Sequence, residues 1–381
     1  MGVEHSRGKL RATVSFFPGL GVVVWAAAMA AGVLCAARSK PAGSKVPPPA
    51  IKWAPRHYVC MRGWNLSIDG ALLEDAWQLA PWTEEFVDIE GEHKQKPRFQ
   101  TRAKMLWDDS CFYVGAELRE PDLWATLRQR DTVIFRDNDF EVFIDPDGDT
   151  HLYYELEVNA LGTAWDLLLP KPYRDGGPAV NAWDIRGLRV GVRLEGTLNN
   201  PTDEDSGWTV EIAMPWVVLS ECAAHPGPPL PGEYWRVNFS RVEWHTEVRG
   251  GRYEKVKDPK TQQPLPEDNW VWSPQGVINM HYPEMWGFVH FCPAPAGSAL
   301  CPFSVPEHER TKWVLRQLYY AQWHFWSAHG VFANKLRLLG VPEVRDGKAQ
   351  LIVGPHTFVA GYQTRDHQQW WITQDGRTWK E

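Results

Sequence analysis

Several signatures are scarce or missing in this chain. Its 381 residues include only six cysteines, and none has the Cys-x-x-Cys or Cys/His spacing of a zinc site. Five of them lie beyond the N-terminal apolar run, and an odd number leaves at least one unpaired, so a dense disulfide framework is not indicated. Cys292 and Cys301 are near enough in sequence to close a loop, and Cys60 with Cys111 is a conceivable second pair. Basic clusters are missing, and with a net charge of −7 this argues against a nucleic-acid partner. No G-x-S-x-G, P-loop or dinucleotide-binding fingerprint occurs. His151, His245 and His281 are scattered, without metal-ligand or triad spacing. Long helical periods are absent until about residue 305.

Only one long uncharged run is present, Ala12 to Ala37, preceded by Arg7, Lys9 and Arg11 and followed by Arg38, Lys40 and the prolines Pro47–Pro49. It reads as a secretory signal or a single membrane anchor. Either places the bulk of the protein outside the cytoplasm, secreted or tethered, with membrane contact only through this segment. Asn65-Leu66-Ser67 and Asn238-Phe239-Ser240 are glycosylation sequons, the second inside an expected strand and therefore expected to be buried.

Tryptophan is abundant, 22 residues in all. Ordinary cores do not need so many indoles, so some are expected on the surface, where flat apolar rings can stack on pyranose faces.

The most patterned stretch runs from Arg136 to Ala160. Phe140, Val142 and Ile144 alternate with Asp139, Glu141 and Phe143, and after the turn residues Pro146, Asp147 and Gly148 the alternation resumes. Tyr154, Leu156 and Val158 then oppose Tyr153, Glu155, Glu157 and Asn159. Paired as a hairpin, the strands bring Asp139, Glu141, Glu155, Glu157 and Asn159 onto one face. Like charges across a ladder repel, so that face calls for arginines such as Arg130 and Arg136, a bound cation, or a hydroxyl-rich ligand. At the turn, Asp145, Asp147 and Asp149 resemble the start of an EF-hand loop, but Gly148 is displaced and Leu156 stands where the twelfth-position glutamate belongs. A structural Ca²⁺ held by these three carboxylates remains open beside the plainer reading of a solvated acidic turn. Asp139 and Glu141 also invite a glycosidase reading. Alternate strand residues lie about 6.5–7 Å apart at their backbones, within the range of an inverting carboxylate pair.

The run from about Tyr58 to Phe291 resembles carbohydrate-binding module family 9. The resemblance is carried by Leu106-Trp107-Asp108-Asp109 with Phe112-Tyr113-Val114, by Asp139 to Asp149, and by Glu157 to Thr163. Gly207 to Trp216 and Trp235 to Arg241 continue it in the same order. It implies a mainly β fold, an antiparallel β-sandwich, with non-covalent binding of an oligo- or polysaccharide and often fusion to a glycoside hydrolase. It also implies calcium, which members of the family carry. By position it points to Phe135, where a tryptophan is expected, and to Trp270 or Trp272 as stacking rings. Glu141 and Asn159 would meet hydroxyls, with Arg130 or Arg136 nearby. The expected role is accessory to polysaccharide breakdown. The alternatives are a glycoside hydrolase using Asp139 and Glu141, or an extracellular interaction domain without sugar binding.

Eight short strands are expected between Thr101 and Phe291. Beyond Cys292, Glu307 and Glu309 favour a helix start and Gly330 a stop. Val314, Leu315, Leu318, Tyr319, Trp323 and Trp326 recur at helical spacing between them. A short second helix near Asn334–Leu339 and strands at Gln350–Val353 and Gln369–Thr373 complete a small α+β unit. The expected organisation is therefore residues 1–45 as signal or anchor, 46–295 as the sandwich, and 305–381 as an appendage without an assigned role.

Overall fold

The computed structural model of the chain describes residues 46–341 and 347–381. The signal or anchor expected within residues 1–45 lies outside the described residues. No described helix is long and apolar enough to cross a membrane.

Strands dominate, as alternation in the sequence leads one to expect. In chain order they begin with β1 (His57–Arg62), β2 (Val87–Asp88), β3 (Thr101–Trp107), β4 (Cys111–Arg119) and β5 (Asp139–Asp145). There follow β6 (Tyr153–Asn159), β7 (Ala164–Leu169), β8 (Arg189–Glu195), β9 (Gly207–Pro215) and β10 (Tyr234–Glu243). A separate hairpin, β11 (Thr246–Arg249) with β12 (Arg252–Lys255), precedes β13 (Asp268–Val271) and β14 (Gly287–Pro295).

The main sheet runs β7-β6-β5-β10-β14-β1-β3-β4-β9-β8, with β13 and β2 branching from β10. Its two limbs curl over one core, the sandwich-like arrangement expected from the sequence. Phe140, Val142 and Phe239 of one limb share a buried cluster with Met105, Val114 and Ile212 of the other.

The strand that joins the limbs is β1, which was not among the expected ones. It pairs in parallel with β14 and then, past an irregularity near Cys60–Arg62, with β3. Every other ladder of the sheet is antiparallel. A strand buried on both faces has little alternation to read, and His-Tyr-Val-Cys-Met-Arg shows almost none. Its position also rules out the second cysteine pair. Cys60 packs in the inter-limb core while Cys111 packs in a cluster with Trp77 and Met61, and both are free thiols. Cys292 and Cys301 do form a disulfide. Asn238 is fully buried, donating to Ser273 O at 2.8 Å, whereas Asn65 is exposed.

The C-terminal unit is a 23-residue helix, Glu307–His329, packed on a four-stranded sheet. Gly330 ends the helix in the left-handed conformation, its N–H reaching Trp326 O at 2.7 Å. The strands are β15 (Gly347–Val353), β16 (Phe358–Thr364), β17 (Gln369–Thr373) and β18 (Thr378–Lys380). Two of these were expected. The expected second helix is one 3₁₀ turn, Leu336–Leu338. Leu315, Leu318 and Tyr319 bury the helix stripe against Phe358, Ala360 and Ile372. The opposite helix edge carries Glu309, Lys312 and Arg316 onto the main sheet, at the end of β5.

Candidate functional site

β5 lies between β6 and β10, and register decides which side chains meet. Glu141 pairs with Glu157 on one side and Ser240 on the other, and Phe143 pairs with Glu155 and Asn238. Because side chains alternate, Phe140, Val142 and Ile144 enter the inter-limb core, and Glu141, Phe143, Glu155 and Glu157 share the other face. The hairpin expected from the sequence is present with its acidic face intact.

That face floors a cleft of about 250 Å³. Phe135, from the 3₁₀ turn Ile134–Arg136, lines it together with Glu267, Asn269, Met280 and His281. Phe135 is held by its backbone, its N–H donating to Glu157 Oε2 at 2.8 Å and its carbonyl accepting from Trp244 Nε1 at 2.9 Å. Its ring is 37% exposed and borders the cleft.

The floor is short of positive charge. Asp139, Glu141 and Glu157 each place an oxygen within 4.8 Å of the others. Burial, with Glu141 next, pushes Asp139 well above the usual carboxylate range. Burial pushes Glu141 up to about 7 and, with repulsion from Glu141, Glu155 up to about 8. Glu157 rises for the same reasons, burial first and then Asp139. Glu155 Oε2 is buried without a hydrogen-bond partner. Among the described residues lining the cleft, none is lysine or arginine. Burial and nearby Arg174 push His281 down to about 3, so its ring is neutral, with Nδ1 2.8 Å from the Tyr153 hydroxyl.

The residues expected to form the site divide. Phe135 and Glu141 reach the cleft. Trp270 and Trp272 do not, and the expectation that they stack on a ligand is corrected. Both are buried in the inter-limb core, Trp272 fully (0% exposed), with its Nε1 3.1 Å from Glu84 Oε2. Parity along β13 is the reason. Asn269 faces the cleft, so the indoles on either side of Val271 face inward. Gly287 has no side chain because a Cβ there would lie 2.3 Å from the Trp272 ring. Asn159 is corrected too. Its amide donates to Leu127 O at 2.8 Å and Asp137 Oδ2 at 3.0 Å, and its oxygen accepts from Leu161 N and Thr163 N, both at 3.1 Å. That uses its full capacity as a latch under the loop. Arg136 is exposed beside Phe135 but outside the lining residues. Arg130 pairs with Asp166 and, at 3.2 Å, with Asp184 rather than with the acidic face. Glu155, Glu157, Glu267 and His281 complete the cleft. The alternation of β6 had placed the first two on this face, whereas nothing local marks the others.

At the turn after β5, Asp145, Asp147 and Asp149 converge within 4.8 Å. Asp145 accepts from Gly148 N at 3.0 Å and Thr150 N at 2.9 Å, and Asp149 pairs with Arg377 at 3.0 Å. Lys312 Nζ sits 2.9 Å from Gly148 O, and Arg316 clamps Thr150 Oγ1 at 3.1 Å and Gly376 O at 2.8 Å. Backbone N–H groups and cations of the C-terminal unit meet part of this charge, yet burial, then Asp147 and Asp149, pushes Asp145 well above the usual carboxylate range, and burial, then Asp149, raises Asp147.

The strand order and the motifs along it agree with a match to the family described as "Carbohydrate family 9 binding domain-like", over residues 68–228. This stretch is a carbohydrate-binding family 9-like domain. It contains β2 to β9, hence the β5–β6 hairpin and Phe135, while β1, β10, β13 and β14 complete its sheet from beyond the matched stretch. Among solved structures, a family 9 module from Caldicellulosiruptor kristjanssonii in complex with cellotriose is similar at 16% identity, covering 66% of this chain and 100% of that one, with a TM-score of 0.41. The same source's module in complex with glucose gives 16% identity, 65% and 100% coverage, and a TM-score of 0.41. A putative carbohydrate-binding protein from Bacteroides uniformis gives 17%, 62% and 100%, and 0.44. No curated protein matches the sequence.

Proposed function

We propose that the family 9-like domain binds carbohydrate non-covalently in the Phe135 cleft. The observation that carries this reading is a partly exposed aromatic ring set over buried carboxylates in a cleft sized for about one sugar ring. Phe135 offers a stacking face, Glu141 and Glu155 accept from or donate to adjacent hydroxyls, and Asn269 at the rim adds an amide. Hydrolysis by this chain is disfavoured because Asp139 is fully buried and does not line the cleft, so the Asp139–Glu141 pair cannot flank a glycosidic bond. Any hydrolysis falls to a partner glycoside hydrolase, to which this protein is accessory.

An extracytoplasmic setting, secreted or tethered by the N-terminal run, is part of the same proposal. The Cys292–Cys301 disulfide and the exposed sequon at Asn65 both suit an oxidising, glycosylating route. The test is calorimetric titration of wild type and Phe135→Ala against a glycan panel, with reducing-sugar release measured in parallel. Saturable binding should weaken about tenfold in the variant, roughly 1.4 kcal/mol, with no release by either protein. Binding untouched by Phe135→Ala, or sugar release by the wild type, would move the function elsewhere.

A further inference from the structure

We propose that the C-terminal unit carries a second sugar-binding surface, in which Trp371 and Trp379 on the outer face of its sheet take a neutral polysaccharide chain. These residues lie outside the matched family stretch, and the proposal does not depend on the Phe135 cleft. Register builds the surface. Phe358, Ala360 and Tyr362 of β16 and Trp370 and Ile372 of β17 are buried in the core under the helix, so the residues between them turn outward. Pairing then sets Gln350, Gly361, Trp371 and Trp379 in one row across the four strands. Glycine at 361 leaves room for the first indole, since a Cβ there would fall 2.6 Å from Trp371 Cζ3. Trp371 Nε1 donates to Glu381 Oε2 at 3.0 Å, which holds the ring on this face. The Trp379 ring is next to it, with centroids 6.4 Å apart and planes within 21°, a spacing on the scale of neighbouring rings in a sugar chain. Covering a strand glycine accounts for Trp371 alone. It does not account for Trp379, which is 38% exposed and, with Trp64, one of two exposed tryptophans among the described residues. The chemistry around the rings points to the occupant. Gln350, Gln363 and Gln369 share this face with the Thr373 hydroxyl, and amides and hydroxyls both donate and accept. Among the described residues in these rows the ionisable ones are Lys348 and Glu381, of opposite sign, so the face complements an uncharged, hydroxyl-rich ligand. Indole faces meet the C–H faces of pyranose rings while amides meet the hydroxyls at their edges. A second protein is a poor match. The apolar side chains here are Ile352, Val359, Trp371 and Trp379, far short of the roughly 20–30 residues a side in a stable interface.

The experiment is depletion of the full chain from solution by microcrystalline cellulose and by insoluble mannan, with polygalacturonate as a charged control and glucose titrated separately. At least one neutral polymer should retain the wild type, and Trp379→Ala should weaken that retention about tenfold. Trp379→Phe, which keeps an aromatic face, should restore most of it, an outcome that a merely structural tryptophan would not give. Glucose affinity should stay within about twofold in both variants, because the cleft is untouched. The exposed Gln350→Ala should weaken retention about threefold and decides the matter if Trp379→Ala does not fold. No retention on either neutral polymer, or retention confined to polygalacturonate, would overturn the proposal. So would retention that Phe135→Ala abolishes and Trp379→Ala leaves unchanged, which would assign the polymer to the cleft. A wild-type dimer in sedimentation that Trp379→Ala disperses would replace the polysaccharide with a second copy of the chain. Failure of glucose to bind the wild type would sink the cleft reading and leave this one standing.

Discussion

The two acidic patches along β5 share that strand, and they differ in whether cations from elsewhere reach them. At its C-terminal end, Asp145, Asp147 and Asp149 are met by backbone N–H groups and by Lys312 and Arg377 from the C-terminal unit. Along its middle, Glu141, Glu155 and Glu157 face one another without a cation, and burial holds their protons on. A protein that needs only a stable turn can recruit its own cations.

The largest expected effect breaks the neutralised patch. Arg316 is buried between Thr150, Gly376 and Glu284, its Nε 3.7 Å from Glu284. Arg316→Ala unclamps the turn and strips one cation from a buried network in which Arg174 also pairs with Glu284 at 2.8 Å. Denaturant melts should show a loss of about 3–5 kcal/mol. A loss under about 1 kcal/mol would mean that the C-terminal unit is not what secures the turn.

A smaller effect reports on the cleft. Glu141 and Glu155 have folded values of about 7 and about 8 against an ordinary 4.5, so the native state binds more protons than the unfolded state between those limits. Stability from these groups is fully present below about pH 4.5 and is lost as pH rises through 7–8. Glu284 and Glu309 are shifted downward and act only in acid, below this window, while neutral His281, lowered to about 3, opposes the trend only up to its ordinary 6.5. Stability, and with it the melting temperature, should therefore fall from pH 5 to pH 8. The double change Glu141→Gln/Glu155→Gln should flatten that slope, and an unchanged slope would locate the protons elsewhere.

The smallest effect is expected from calcium. With Lys312 and Arg377 at the turn, millimolar calcium or a chelator should shift stability by less than about 0.5 kcal/mol. A calcium-dependent rise in melting temperature that chelation reverses would restore a metal to Asp145, Asp147 and Asp149.

Alternation made much of this legible in advance. The hairpin of β5 and β6, its acidic face, the C-terminal helix and the stop at Gly330 all follow from local spacing, because a strand repeats every two residues and a helix every 3.6. Strand β7 and strand β1 escaped because Ala-Trp-Asp-Leu-Leu-Leu and His-Tyr-Val-Cys-Met-Arg do not alternate clearly. Within the site, Phe135 and Glu141 were found from the resemblance, while His281 and Glu267 come from segments far along the chain that carry no mark of their destination.

What the sequence determined by itself is therefore the set of faces: which side chains of a strand travel together, and that one such set is acidic. Tertiary structure decided what each face meets. Trp270 and Trp272 carry the same residue type expected of a sugar platform, but the pairing of β13 with β10 turned them into core and turned Asn269 outward. The charges of the turn were likewise assigned by docking. Lys312 and Arg377 lie more than 150 residues from Asp149, and only packing of the C-terminal unit brings them there, because electrostatic pairing depends on distance in space and not on distance along the chain.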